Sequence, residues 1–259
     1  MNRKNKMLNE AAKDSDVSSN EQGDGLTLIE SHSGLVKPVI HKIISLIREQ
    51  GLKPGTPIPS EGALAISFGV SRAVIREALR SLAALTLIDV GNGRRARVCL
   101  PDASVLGLVV DHAVFTEHVS IQQIYDVRRS IEMRTVALAA LRRSNSEAVD
   151  ICAHAAAMHA DFHQPDQAMQ HDIAFHRAIG VASRNPIFSM IVQSFEDVTR
   201  KTWRVAWNSR PSDKERMESI DVHAAIAAAI FVQDARAAEA AMAEHFDNSV
   251  KALLNAGIN

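Results

Sequence analysis

From Leu35 onward apolar residues recur every three or four positions, and the breaks in that rhythm divide the chain into helices. Val36, Val39, Ile40, Ile43, Ile44 and Ile47 form one stripe between Leu35 and Gln50, and Gly51 ends it. Leu52-Lys53-Pro54-Gly55 forces a turn, Ser60 caps a short apolar segment from Ala63 to Phe68, and Gly69 closes that segment. In the next stretch Ile75, Ala78, Leu79 and Leu82 fall at i, i+3, i+4 and i+7, which predicts a helix with an apolar back. Ser71 is its N-cap, and Val70 and Ile75 stand where a hydrophobic staple fixes the entry of the chain. The pattern then shortens: Leu87 to Val90 and Ala96 to Cys99 read as strands around a glycine-containing hairpin, Gly91-Asn92-Gly93-Arg94-Arg95. Helix, glycine turn, helix and basic hairpin together predict a winged helix-turn-helix over residues 34–100. Residues 1–33 show no sustained apolar period and are rich in Asn, Ser, Asp, Glu, Lys and Gly, a composition that predicts a disordered tail.

Pro101-Asp102 marks a boundary, with a linker at 101–104. Helical patterns follow at 104–113, 120–142, 145–162, 166–182, 186–208, 212–232 and 234–255, separated by breakers such as Asn185-Pro186 and Arg210-Pro211. No strand alternation competes. The expected fold is mainly α: an N-terminal winged helix-turn-helix, then an all-helical bundle of six or seven helices over residues 105–255.

Charge separates the two parts. Residues 34–100 carry ten Lys/Arg against four Asp/Glu, whereas residues 101–259 carry fifteen against twenty, so only the first part suits a polyanion. Arg72, Arg76 and Arg80 share the polar face of the helix that Ser71 caps, with no acidic residue among them. For an isolated helix this is as readily a solvated basic face as an anion site; the flanking helix and hairpin favour DNA. Cys99 and Cys152 are far apart and lack metal spacing, so no disulfide framework is indicated and a reducing cytoplasm fits. No apolar run reaches about eighteen residues, and the basic Asn2-Arg3-Lys4 is not followed by an apolar signal region.

Residues 36–98 closely resemble the winged helix of the GntR family of bacterial transcription regulators. The resemblance is carried by Pro54-Gly55, Ile58-Pro59-Ser60-Glu61 and the run from Val70-Ser71-Arg72 through Ile75-Arg76-Glu77-Ala78-Leu79-Arg80 to Leu82. It implies that Ser71, Arg72 and Arg76 contact phosphates and base edges in the major groove, while Asn92, Gly93 and Arg94 approach the minor groove. Two positions depart from the family pattern: Gly62 replaces an arginine that reaches DNA, and Arg95 stands where a second wing glycine is usual.

A second constellation lies in the helical part. Asp172 and His176 are four apart on the stripe of Met169, Ile173 and Ile179; His223 shares a stripe with Ile220, Ala227 and Ile230; His245 follows Ala238 and Met242. All four point toward a core. A single inward histidine is more often a hydrogen-bonded core residue than a ligand, but three with a carboxylate suit Zn²⁺, or Ni²⁺, Fe²⁺ or Mn²⁺, with positions left for water or a ligand oxygen. Asp172 with Phe175-His176 and Ile179, followed by two widely spaced histidines, is similar to the FCD effector domain of the FadR-type branch of the same family. That resemblance implies that Asp172, His176, His223 and His245 are the metal ligands. His159 and His163, also four apart, are a weaker candidate pair. Arg128 falls on the apolar stripe of Ile124, Ile131, Thr135 and Leu138, and a buried guanidinium must be paired. Its partner is Glu132 at i+4, the carboxylate of an effector, or both; the family resemblance at Tyr125, Val127-Arg128, Ile131 and Glu132 favours the effector.

These readings converge on a cytoplasmic, homodimeric repressor that binds operator DNA and is released by a small organic or sugar acid at a metal site. The alternative is a metal-dependent hydrolase-like enzyme with an appended DNA-binding domain. It lacks a credible general base besides the ligands.

Overall fold

In the winged unit the buried stripe read from the sequence becomes the floor of a small core. The computed structural model describes the backbone of residues 23–91 and 93–258, and side chains from residue 34. Helix α1 (Gly23–Glu49) lays Val39 and Ile43 on α3 (Arg72–Ala84), whose Val74, Ile75, Ala78, Leu79 and Leu82 are all buried. Helix α2 (Glu61–Phe68) is capped by the Ser60 hydroxyl, which accepts from the Ala63 N–H, and ends at Gly69, whose φ of 69° is the left-handed turn that a glycine permits. The Ser71 hydroxyl accepts from the Val74 N–H and starts α3. Strands β1 (Ile88–Asp89) and β2 (Arg97–Val98) pair antiparallel, Ile88 opposite Val98 and Asp89 opposite Arg97. On the far side of β2 the Ile58 N–H donates to the Ala96 carbonyl and the Val98 N–H to the Thr56 carbonyl, so the turn before α2 braces the wing.

Of the tail expected to be disordered, residues 1–22 lie outside the described residues, while 23–33 continue α1. Once α1 is nucleated, each added residue costs little, and no proline interrupts that stretch. Pro38 is therefore interior to α1 and leaves the Gly34 carbonyl without its usual amide.

The chain divides into two units, at Leu100 and Pro101. The second is entirely helical among the described residues: α4 (Ser104–Phe115), α5 (Ile121–Arg142), α6 (Asn145–Ala160), α7 (Pro165–Ala182), α8 (Pro186–Ser194), α9 (Glu196–Asn208), α10 (Asp213–Phe231) and α11 (Ala235–Asn255). The fold is mainly α, as expected, but with eight helices in this unit rather than six or seven. The segment read as one helix over 186–208 breaks at Phe195. There the Ser194 hydroxyl donates to the Ile191 carbonyl, and Phe195 turns inward onto Ile124 and Val198. Gly107 of α4 makes the break possible to cover, since a Cβ at that position would stand 3.3 Å from the Ser194 carbonyl oxygen.

Helices α5, α7, α10 and α11 pack on one another around Phe175, Ile226, Ile230 and Phe246, each fully buried. Burying each such side chain contributes roughly 1.5–3 kcal/mol. Ser120 with Gln123 and Ser144 with Glu147 form capping boxes that start α5 and α6, and Pro165 and Pro186 sit in the first turns of α7 and α8. Among the described residues no helix is long and apolar enough to cross a membrane.

Candidate DNA-binding face and metal centre

The exposed side of α3 carries Arg72, Arg76 and Arg80, but it is not free of carboxylates. Glu61, in the first turn of α2, accepts from Arg76 Nε and Nη2, the latter at 3.0 Å. The hydrogen bonds that Arg76 donates to Glu61, then the Glu61 charge, raise the Arg76 pKa. Arg72 lays its guanidinium over Gly62, where a Cβ would be 3.3 Å from Nη2. The side chain missing at 62 is thus replaced in space by a neighbouring arginine. Arg80, one turn on, stands 3.7 Å from Glu77 with 69% of its side chain exposed. In the wing, Gly93 takes a φ of 71°, and Arg94 folds back across Gly91 to pair with Asp89. Arg95 is exposed; Asn92 lies outside the described residues.

In the helical unit all four residues of the expected metal set are buried, with Asp172 and His176 4% exposed, His223 5% and His245 9%. The three histidines, one each from α7, α10 and α11, present ring nitrogens within 4.8 Å of one another, and among the described residues this is the group of potential ligands that converges. Asp172 joins two of them: its Oδ1 lies 2.8 Å from His223 Nε2 and 4.0 Å from His176 Nε2. His159 and His163 do not enter. His159 pairs with Asp221 at 3.1 Å, and His163 packs edge-on against Phe162.

Hydrogen bonding shows what this cluster lacks. His223 Nδ1 lies 3.0 Å from the Ser219 carbonyl, which can only accept, so Nδ1 must carry the proton. Nε2 then faces a carboxylate oxygen, and a neutral ring has no second proton to offer there. A second proton or a cation must stand in. His176 is more exposed to the same problem: Nδ1 approaches Glu132 Oε2 at 2.5 Å but off the line of a hydrogen bond, and buried Nε2 has no partner. His245 makes no hydrogen bond within the described residues, and burial, then the charges of His223 and His176, hold its pKa well below the ordinary histidine range. Burial alone would push the Asp172 carboxyl up, yet the His223 hydrogen bond and the neighbouring histidines hold it far below the usual range. A His245 held neutral, a His176 Nε2 without a partner, and three histidines whose ring nitrogens lie within 4.8 Å of one another beside the ionised Asp172 fit a divalent metal.

Arg128 is 4% exposed and does pair with Glu132, Nε to Oε1 at 2.9 Å, while its Nη1 donates to the Thr199 hydroxyl at 3.0 Å. Burial disfavours both charges, but each holds the other: Arg128 stays raised, and Glu132, between Arg128 and His176, stays lowered. The remaining guanidinium donors of Arg128 have no acceptor among the described residues. Arg128 lines a cleft together with Asp172, His223, His245, Trp207 and Arg210. Sequence reasoning identified Arg128 and Glu132 as a pair but missed that Glu132 also reaches His176, and it missed Glu61 and Arg210. Only the Pro-Ser-Glu start of α2 hinted at Glu61.

Residues 35–98 match the family of bacterial regulatory proteins, gntR family, and residues 123–248 match the FCD domain. The chain is 31% identical over 230 residues to the HTH-type transcriptional repressor NanR of Cronobacter sakazakii, covering 83% of each chain. It is 28% identical over 214 residues to the HTH-type transcriptional regulator LutR of Bacillus subtilis, covering 78% of this chain and 94% of that one. A solved structure of Streptococcus agalactiae GntR has a TM-score of 0.60 at 21% identity, over 82% of this chain and 97% of that one, a likeness of fold.

Proposed function

Since the chain belongs to the gntR family of bacterial regulatory proteins and joins a DNA-binding domain of that family to an FCD domain, we propose that this transcriptional regulator is a cytoplasmic repressor released by a metabolite. Asp172, His176, His223 and His245 hold one divalent metal, most simply zinc, which supplies a Lewis-acidic anchor for an oxygen ligand. The effector is a small organic or sugar acid whose carboxylate meets that centre and the spare donors of Arg128. Glu132 keeps the arginine charged and fixed in direction. The observation that carries this reading is the convergence of three buried histidines beside a buried guanidinium with donors to spare: His223, His245, Asp172 and Arg128 line one cleft, and His176, whose ring nitrogens have no partner, lines a second pocket that shares Asp172 and Arg128 with it.

On DNA, Ser71, Arg72 and Arg76 read the major groove, with Asn92, Gly93 and Arg94 at the wing. Arg76 exchanges Glu61, and Arg94 exchanges Asp89, for phosphate or a base edge. Two half-sites require a homodimer. Helix α4, apolar apart from Ser104, Asp111 and His112, leaves Leu108, Val109 and Phe115 exposed at 69%, 59% and 80%, which supports it as a contact between copies. Effector binding biases the helices that bear the ligands, and the linker at 101–104 passes that bias on.

The test pairs elemental analysis with calorimetry and operator release. His223→Ala should cost metal and effector response together, whereas Arg128→Lys should keep the metal and lose most effector affinity. Full metal retention by both His223→Ala and His245→Ala would exclude the site.

A further inference from the structure

The cleft contains a second arginine that the reading above leaves unused. Arg210, just beyond α9, lines it with Arg128. Its Nη1 donates to the Ala206 carbonyl at 2.7 Å, and its other guanidinium donors have no acceptor among the described residues. Among the described residues no carboxylate stands within ion-pair distance: Glu215 and Glu218 line the adjoining groove, and Glu218 faces Lys214. Burial, the largest influence, lowers the Arg210 pKa despite the opposing charge of Asp172, so this charge is under-compensated.

Counting charges around the cleft gives the same result. A divalent metal with Arg128 and Arg210 brings four positive charges, and Asp172 and Glu132 bring two negative ones, with the histidines neutral as ligands. Two positive charges remain in a partly desolvated space, and a monocarboxylate answers only one. The polar part of the remaining lining suits a hydroxylated chain. Trp203 and Trp207 stack with centroids 5.0 Å apart and planes 12° apart, and among the described residues their indole N–H groups and the side chains of Asn248 and Ser249 have no hydrogen-bond partner.

We propose that the effector is a dianion: a hydroxylated acid with one carboxylate at the metal centre and Arg128, and a second anionic group, carboxylate or phosphate monoester, held by Arg210. This rests on the cleft being the effector site.

Calorimetry on the full zinc-loaded chain compares ligands that differ only at the far end of a six-carbon acid: aldonates, aldarates and aldonate 6-phosphates, in gluco and galacto configuration. An aldarate or a 6-phosphate should bind at least about tenfold tighter than its matched aldonate, the worth of one charge-assisted fork. The winner of the two identifies the second anion. In Arg210→Gln that ratio should fall to about one, and Arg210→Lys, with the charge but not the fork, should restore part of it. Equal binding of aldonate and dianion by the wild type overturns the dianion, and an undiminished preference in both variants with native thermal melts overturns Arg210 as the group that holds its second charge. If no acid of any set binds, the carboxylate reading of the cleft falls, and the dianion with it.

Discussion

In the winged unit Arg76 pairs with Glu61 while 56% and 38% of their side chains remain exposed; in the helical unit Arg128 pairs with Glu132 at 5% and 2%. The chemistry is the same and the surroundings are opposite. Water and salt screen the first pair, so its carboxylate can be traded for a phosphate at little cost. The second pair lies where neither partner can leave without stranding the other charge in an apolar core. On the function proposed above, an exchangeable pair suits a residue that meets DNA, and a fixed pair suits one that presents the same donors to each arriving ligand.

The largest effect expected from breaking this contrast is at Glu132. Glu132→Ala strands Arg128 and deprives His176 of its neighbour, and should cost about 3–5 kcal/mol of folding stability, read from urea unfolding. A loss under about 1 kcal/mol would mean that the buried pair behaves like a surface pair after all.

Acid should reveal the same difference. The Asp172 and Glu132 carboxyls are held below their ordinary range, so the unfolded chain binds more protons than the folded one as pH falls. The stability they contribute is complete above the unfolded carboxylate values, about 3.9–4.3, and drains away as pH drops through their folded values. Thermal melts of chelator-stripped protein from about pH 6 to about pH 3 should therefore fall, and Glu132→Gln should flatten the curve. A pH-independent melting temperature would contradict the depressed carboxyls.

At the exposed pair, changes should register on DNA and not on folding. Arg76→Ala should weaken operator binding by roughly ten- to hundredfold with an unchanged melt. Glu61→Gln should act the other way and more gently: affinity for any duplex rises a few fold, with the salt slope steeper by about one. Mobility shifts across a salt series give both values. If Glu61→Gln left affinity and slope untouched, the carboxylate would not be competing with DNA.

Much of this was readable residue by residue along the chain. The Ile75, Ala78, Leu79 and Leu82 stripe, the Ser71 cap, the inward Asp172 and His176, and Arg128 four residues before Glu132 are all relations within one or two turns of a helix. Backbone periodicity governs such relations, so composition and spacing determine them before any packing occurs. The alanine-rich second half likewise contained its helix starts, with Ser120, Ser144, Ser212 and Asp234 each accepting from the first turn they cap. The resemblance added the expected ligand set and the DNA-facing residues.

Packing decided the remainder. Asp172 and His223 are 51 residues apart, Arg128 and Thr199 are 71 apart, and Glu61 reaches Arg76 across 15. Each contact depends on how two helices cross, which is set by side-chain volumes such as Phe175 and Phe246 rather than by the period of either helix. The break at Phe195 has the same origin: nothing local interrupts the helical pattern there, but burial of that ring on Ile124 and the close approach of Gly107 outweigh one turn of continuous helix. Periodicity therefore determined that Asp172, His176, His223, His245 and Arg128 face inward. Only the crossing of α5, α7, α10 and α11 decided that they face one another, because side-chain direction is a property of one helix and convergence is a property of four.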